Sequence, residues 1–378
     1  MNYSALYGGS APIGAIVSGQ YAANTDFLPL DGAEYLRSAY PSLDYAGMST
    51  FGMNAWQTKT MPSASQWVAT AFGNGVHVAV SMTSGTAAAK STDGGLTWSA
   101  TVIPSGVYRA VTWVPAIGLF VAVGNAICAT SPDGTTWTAR TFTLNAGSIT
   151  FGAGLLVAGN AGLLTGTDSN AYSTSADGIT WTNRTLPTSA SYSNIRWCDD
   201  RFSATIYTVS GAGTYTAYTS VDGISWQLDF CPAGSSANSY GCIGFKGRRF
   251  WQVSNYVFAS EALGMPTAPV NYPGWSVVGF GTHSGAQNIS AAGEWLIAWA
   301  PSGHANLSTD GRSWRPVPKL PAITVQNPQH QMAYGNGCLV ICDGASTANI
   351  YVLQSDPTKF RVPRQYLNDA DRLYIKAK

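Results

Sequence analysis

Ser91-Thr92-Asp93-Gly94-Gly95-Leu96-Thr97-Trp98 is a turn that can be read from its own chemistry. An Asp at this place accepts hydrogen bonds from the backbone N–H groups just after it, the Gly takes a positive φ without steric cost, and the Trp brings a large apolar surface to the strand that follows. The pattern returns as Ser131-Pro132-Asp133-Gly134-Thr135-Thr136-Trp137, Ser175-Ala176-Asp177-Gly178-Ile179-Thr180-Trp181, Ser220-Val221-Asp222-Gly223-Ile224-Ser225-Trp226 and Ser308-Thr309-Asp310-Gly311-Arg312-Ser313-Trp314. A decayed copy runs from Ser260-Glu261 to Trp275, and Trp56 stands ahead of them all without a turn.

These seven Trp residues recur 39 to 49 residues apart, the length that a blade of four short antiparallel strands requires. Within the second unit the strands are expected at Arg109–Trp113, Leu119–Val123, Ala126–Ala129 and Thr136–Thr138, with a turn near Gly118. Seven sets of the first three strands can be counted. The last, at His330–Tyr334, Cys338–Cys342 and Ile350–Leu353, lacks its own Trp strand, whereas Ala55–Thr60 is a Trp strand with no inner strands before it. Ring closure follows: the N-terminal strand completes the last blade and removes the exposed sheet edges. The rival donor of that strand is Ser355–Phe360. Either way the expected fold is all-β, a seven-bladed β-propeller of four-stranded antiparallel blades over residues 55–356.

The repeated turn resembles the Asp-box of sialidase-like propellers and covers residues 62 to 319. That resemblance implies a structural role for Asp93, Asp133, Asp177, Asp222 and Asp310 and for Trp98, Trp137, Trp181, Trp226 and Trp314, away from any catalytic face. Turn chemistry alone accounts for them equally well.

Residues 1–54 and 357–378 flank the ring. Pro12-Ile13-Gly14, Asp31-Gly32 and the run Arg37-Ser38-Ala39-Tyr40-Pro41-Ser42-Leu43 resemble the opening of the tail-collar domain of bacteriophage tail-fibre proteins. Thr358-Lys359-Phe360-Arg361-Val362-Pro363 and Leu373–Lys376 resemble its close. The resemblance implies a small split α+β domain with the propeller inserted in its central loop, an insertion that needs the two ends of the ring to be neighbours.

Composition narrows the function classes. The 378 residues carry a net charge of +1 with 10% charged and 12% aromatic side chains and 41 Gly, too neutral for electrostatic capture of nucleic acid or of an anionic membrane. No 18-residue apolar run occurs and the start Met1-Asn2-Tyr3-Ser4 lacks a basic signal region, so no membrane insertion is expected and synthesis is expected in the cytoplasm. Cys128, Cys198, Cys231, Cys242, Cys338 and Cys342 show no metal-ligand spacing and read as buried free thiols. Four scattered His residues share no spacing either, so no metal or other cofactor is expected.

A sialidase would need an Arg triad, a Tyr paired with Glu and an Asp acid. The propeller region holds two Glu, Glu261 and Glu294, both at turn positions, so enzyme activity is not expected. Asp199-Asp200 and Lys246-Gly247-Arg248-Arg249 fall in first-to-second strand turns and read as solvated turn residues.

Binding is expected on the opposite face, in variable loops at Gly159–Tyr172, Thr185–Tyr192, Thr205–Tyr218, Phe230–Tyr240 and Val278–Gln287. These are rich in Ser, Thr, Gly, Asn and Tyr, a composition that suits neutral glycan or protein surfaces. The candidate contacts are Tyr172, Tyr192, Tyr207, Tyr215, Tyr218 and Tyr240, with His283 and His304 nearby. Aligning the innermost strands places Ala71, Thr112, Thr150, Arg196, Gly244, Ser290 and Ala333 at one equivalent position facing a central channel, where Arg196 is the one charge and either holds an anion or is satisfied by strand-end carbonyls.

The flank resemblance therefore implies a virion tail fibre or tail-tip component, partnered by other tail or baseplate proteins and oligomeric, for instance a trimer, whose propeller displays a host receptor face for a surface glycan or protein. The alternatives are a structural spacer of the baseplate and a glycan-cleaving enzyme.

Overall fold

The computed structural model describes residues 16–18, 27–29, 34–40, 56–161, 169–188, 191–207, 215–229, 241–246, 248–253, 256–260, 275–277, 288–292, 295–299, 305–308, 311, 315–316, 320–324, 330–354, 359–361 and 373–376. Strands dominate; the helical content among these residues is a single 3-10 turn, Arg37–Ala39. Among the described residues no helix is long and apolar enough to cross a membrane.

Among the described residues the strands form five four-stranded antiparallel sheets, one of seven strands and two small sheets of three and two strands. In each four-stranded sheet the strands lie in sequence order, as in Tyr108–Val114, Leu119–Gly124, Cys128–Ser131 and Thr138–Arg140. The third of these begins two residues later than the sequence suggests because Ala126 turns in the left-handed region, with φ 50°.

The seven-stranded sheet is two units sharing one strand. Gln57–Gly73 is 17 residues long and shifts register between Trp67 and Ala69. Its first part pairs with Ser346–Gln354, with Lys59 opposite Ile350 and Thr58 opposite Tyr351. Its last part pairs with Val76–Ser81 as an inner strand, with Ala71 opposite Val78. The strand beside Trp56 thus lies on the last unit, while Lys359–Arg361, from the rival segment, pairs with Glu34–Leu36.

The inner strands Gln57–Gly73, Tyr108–Val114, Ala146–Gly152, Ser191–Trp197, Gly241–Phe245, Asn288–Ala292 and Met332–Gly335 each touch the next, and the last touches the first. The circuit is closed. The core sits between successive sheets rather than inside any one of them. Trp295, Trp299 and Leu307 pack on Leu339, Ile341 and Leu353, and Val78 and Val80 pack on Val111 and Phe120. Each large side chain so buried contributes roughly 1.5–3 kcal/mol.

Aromatic residues near the ends of the inner strands seal these seams. Trp113 lies over Gly73, Trp197 over Gly152 and Phe72 over Gly335, so closely that a Cβ on Gly152 would lie 2.0 Å from Trp197 Cδ2. Only glycine leaves room for the ring of the next unit.

The repeated turn is built as its chemistry demands. Asp177 Oδ1 accepts from the backbone N–H groups of Ile179 and Thr180, both at 2.8 Å, and from Ser175 Oγ at 3.0 Å, while Gly178 takes φ 71°. Asp222 repeats this with Ile224, Ser225 and Ser220. The N–H bonds from Thr180 and Ile179, and from Ser225 and Ile224, hold the Asp177 and Asp222 carboxyls down to about 2. Trp98, Trp137, Trp181 and Trp226 pack into the seams, and Trp56 joins the seam beside Trp295 and Leu353. Asp310 and Trp314 lie outside the described residues.

The flanks pair with each other. Ile16–Ser18 and Phe27–Pro29 lie on either side of Leu373–Lys376, so both chain ends share one small sheet.

Candidate functional site

The inner strands enclose a cavity of about 500 Å³, and all seven aligned positions, Ala71, Thr112, Thr150, Arg196, Gly244, Ser290 and Ala333, line it. The alternation of a strand puts every second side chain on one face, and counting from the apolar positions was enough to find that face.

The cavity is a cup. Its floor is His330, whose carbonyl accepts from Thr70 N at 2.6 Å and whose Nε2 accepts from Ile149 N at 3.3 Å; the ring also hydrogen-bonds the Val111 backbone. This one residue, through its carbonyl and its ring, so ties three inner strands to the segment that leads into Met332–Gly335. Burial, reinforced by the nearby Arg196 charge, pushes its pKa down to about 4 and keeps the ring neutral.

The wall holds Arg196, 6% exposed, whose Nη1 donates to Ile289 O at 3.1 Å, reaching past the strand of Gly244 to the next one. The carbonyl contact belongs to the satisfied-guanidinium alternative, yet the side chain also faces the cavity. Thr150 Oγ1 accepts from Trp197 N at 3.1 Å, which leaves its own O–H able to donate.

The mouth lies at the ends of the inner strands, where Pro115 and Asp199 line it and the half-buried rings of Phe72, Trp113, Phe151, Trp197 and Tyr334 surround it. These strand ends adjoin the repeated turns, since Asn74 Nδ2 donates to Pro132 O at 3.2 Å and Gly94 packs against Cys338 and Asn336. The cup therefore opens on the turn face, opposite the loop face chosen from the sequence.

On the loop face, a groove of about 380 Å³ is lined by the hydroxyl-bearing Ser63, Ser65, Thr83, Ser84, Thr86 and Thr101, with Ala87, Ala88 and Val102 as apolar surface. Thr101 Oγ1 is buried with no hydrogen-bond partner among the described residues.

The tyrosines proposed for that face divide. Tyr172 is not a surface contact. It belongs to the strand Ala171–Ser175, is 1% exposed, stacks edge-on against Trp226, donates to Ile224 O at 3.3 Å and accepts from Trp226 Nε1 at 3.0 Å. Strand alternation turned it inward. Tyr218 is half-buried, its hydroxyl 2.7 Å from Thr188 Oγ1. Tyr192, Tyr207 and Tyr215 stand on strands rather than in loops, because Phe202–Tyr207 and Tyr215–Ser220 form a longer hairpin than the Gly-rich sequence suggests. Tyr240, His283 and His304 lie outside the described residues, as do Glu261 and Glu294.

Two arginines read as solvated are buried. Arg248 Nη1 donates to Gly311 O at 2.7 Å, and Arg249 pairs with Asp229 at 2.9 Å, the two side chains 3% and 10% exposed. They bolt neighbouring units together. Removing one partner of such a buried pair typically costs about 3–5 kcal/mol, because the other charge is left behind. Asp199, by contrast, is exposed with φ 61°, and Asp200 pairs with Arg201 at 2.7 Å, as turn residues do.

Cys128, Cys198, Cys338 and Cys342 are free and buried, and burial pushes the Cys128 thiol up to about 12, so it is inert. Among the described residues no three of His, Cys, Asp and Glu converge as metal ligands.

The chain superposes on YCF48 bound to a D1 peptide, with a TM-score of 0.53 and 14% identity over 85% of this chain and 99% of that one. YCF48 from Cyanidioschyzon merolae gives a TM-score of 0.55 with 14% identity over 80% and 98%. The chain is a β-propeller. The propeller domain of Cps50 (Swd1) from Myceliophteria thermophila is similar in the same way, with a TM-score of 0.54 and 10% identity over 80% and 99%. No protein-family pattern matches the sequence, and no curated protein resembles it in sequence. At these identities the likeness speaks for the fold alone.

Proposed function

We propose that this propeller has seven blades, is inserted into a split attachment domain built from both chain ends, and serves as the binding head of a bacteriophage tail fibre or tail tip. The observation that carries this reading is the pairing of Ile16–Ser18 and Phe27–Pro29 with Leu373–Lys376, and of Glu34–Leu36 with Lys359–Arg361. A ring whose two ends return to one small module is organised for display. The circuit of seven inner strands supports the blade count.

The head works by binding rather than catalysis in this reading, and two features favour it. The loop-face groove offers hydroxyls without a charged residue among those lining it, the chemistry of neutral glycan recognition. YCF48, of the same fold, was solved with a peptide bound.

Phage carrying bulky substitutions among residues 208–214 or at Ser84 are expected to assemble normally and to lose adsorption to host cells. Normal adsorption by every such variant would overturn the receptor role. Failure of particle assembly instead would favour the structural-spacer reading.

A further inference from the structure

The central cup carries an inference that rests on its lining alone and holds whether or not the chain sits in a virion. Its three tiers are three successive positions of the inner strands. At the deepest tier six units place an apolar side chain, Val111, Ile149, Ile195, Ile243, Ile289 and Met332, each of them buried. The first unit places Thr70 there instead. Thr70 is 3% exposed and lines the cup, and its Oγ1 has no hydrogen-bond partner among the described residues. Its backbone N–H donates to His330 O, which fixes it beside the floor. Buried hydroxyls are nearly always satisfied, so one left open in an otherwise apolar tier marks the place of a partner from outside the chain.

The middle tier adds hydroxyls. Thr112 lines the cup half-buried, and Thr150 Oγ1, which accepts from Trp197 N, keeps its own O–H to donate. The charged residues of the lining, Arg196 and Asp199, are one of each sign, and both are engaged within the protein, as is Ser290. Such a lining suits a neutral ligand rather than an ion. The outermost tier is aromatic. Trp113 lies on Gly73, Trp197 on Gly152 and Phe72 on Gly335, all three rings half-buried at the mouth. A ring held from behind turns its other face to whatever enters, and that face is the negative side of the π quadrupole.

We infer that the cup binds a neutral hexopyranose, the end residue of a glycan entering from the turn face. A pyranose divides as the cup does. One side of its ring is a sheet of weakly positive C–H groups, which fits Trp113 or Trp197, and its rim of hydroxyls both donates and accepts, which fits Thr70, Thr112 and Thr150. An apolar ligand would leave Thr70 unpaired. A peptide running as an extended strand needs a groove open at both ends, and His330 closes this one. The volume of about 500 Å³ is that of a small-molecule site.

Titration of the full chain with the methyl glycosides of D-glucose, D-galactose and D-mannose, followed by NMR and calorimetry, tests this site. Sorbitol is the control, because it has the hydroxyls without the ring face. At least one glycoside is expected to bind with a Kd in the millimolar range and to move the indole N–H signals of Trp113 and Trp197, while sorbitol moves neither. Thr70→Val restores the apolar residue type of the other units, so it should leave the thermal midpoint unchanged or higher and weaken binding about fivefold or more, the worth of one buried hydrogen bond. The contrast with sorbitol on the unaltered protein keeps the test independent of that variant. No response to any glycoside at tens of millimolar, an equal response to sorbitol, unmoved indoles, or undiminished binding by Thr70→Val would each overturn the proposal. Signals that move only among residues 83–88 would overturn the cup and support the loop-face groove, so the two readings fail separately.

Discussion

The full chain carrying both Thr58→Pro and Lys59→Pro is expected to lose about 1–3 kcal/mol of stability from the ladder hydrogen bond alone and to unfold with reduced cooperativity. Thr58 and Lys59 sit opposite Tyr351 and Ile350. In an antiparallel pair, neighbouring residues alternate in pointing their N–H groups at the partner strand. Two consecutive prolines therefore remove a ladder donor whichever residue supplies it. The consequence is larger than that of one lost bond, because this strand continues into the inner strand of the next unit and its loss exposes the edge of Ser346–Gln354. The same substitution at Thr138 and Ala139 tests the contrast. That strand is a three-residue outer edge whose loss opens no ring, so a smaller effect is expected. Equal thermal and urea midpoints for the two variants would show that residues 57–60 close nothing.

Acid should weaken the fold in a window that two buried histidines define. His77 Nε2 donates to Gly335 O at 3.2 Å and its Nδ1 has no partner among the described residues, while His330 Nε2 accepts from Ile149 N. Protonating either ring buries a charge, and in His330 it also sets two N–H groups against each other. Burial pushes the pKa of each down from 6.5 to about 4, with the Arg196 charge adding to the effect at His330. Both folded values lie below the unfolded one, so the unfolded chain takes up more protons as pH falls. The contribution is complete above pH 6.5 and is lost on the way down to about 4. At about 1.4 kcal/mol per pH unit for each group, the loss is roughly 3 kcal/mol per histidine. Asp177 and Asp222 titrate lower, below 3.8, and stay out of this window. Urea unfolding across the range should show the slope in the native chain and its disappearance in the double variant His77→Gln, His330→Gln. A flat profile in the native chain would mean that neither ring is held neutral.

What was legible in the sequence was what is local. The hydrogen bonds that build each turn reach residues two to four places away, so their geometry could be read from one copy and checked against the others. The channel-facing ring needed only the two-residue alternation. What escaped is made by distant partners. His330 finds Thr70, Val111 and Ile149, and Arg249 finds Asp229 across a seam; no spacing in the chain announces either pairing. Charged residues in short turns look solvated until a neighbouring unit covers them, which is why Arg248 and Arg249 were misread. Tyr172 failed for the opposite reason. It was assigned by the composition of a loop, when its place in a strand five residues long already fixed which way it faces. The direction in which the cup opens was hidden as well, because it depends on where His330 forms the floor.

The binding-head account is tested most directly by electron cryo-microscopy of virions carrying this chain. The account predicts ring-shaped density at the distal end of the tail, joined to it through the module that holds both chain ends, with the turn and loop faces open to solvent. A ring enclosed within the tail, or particles that lack it, would contradict the account.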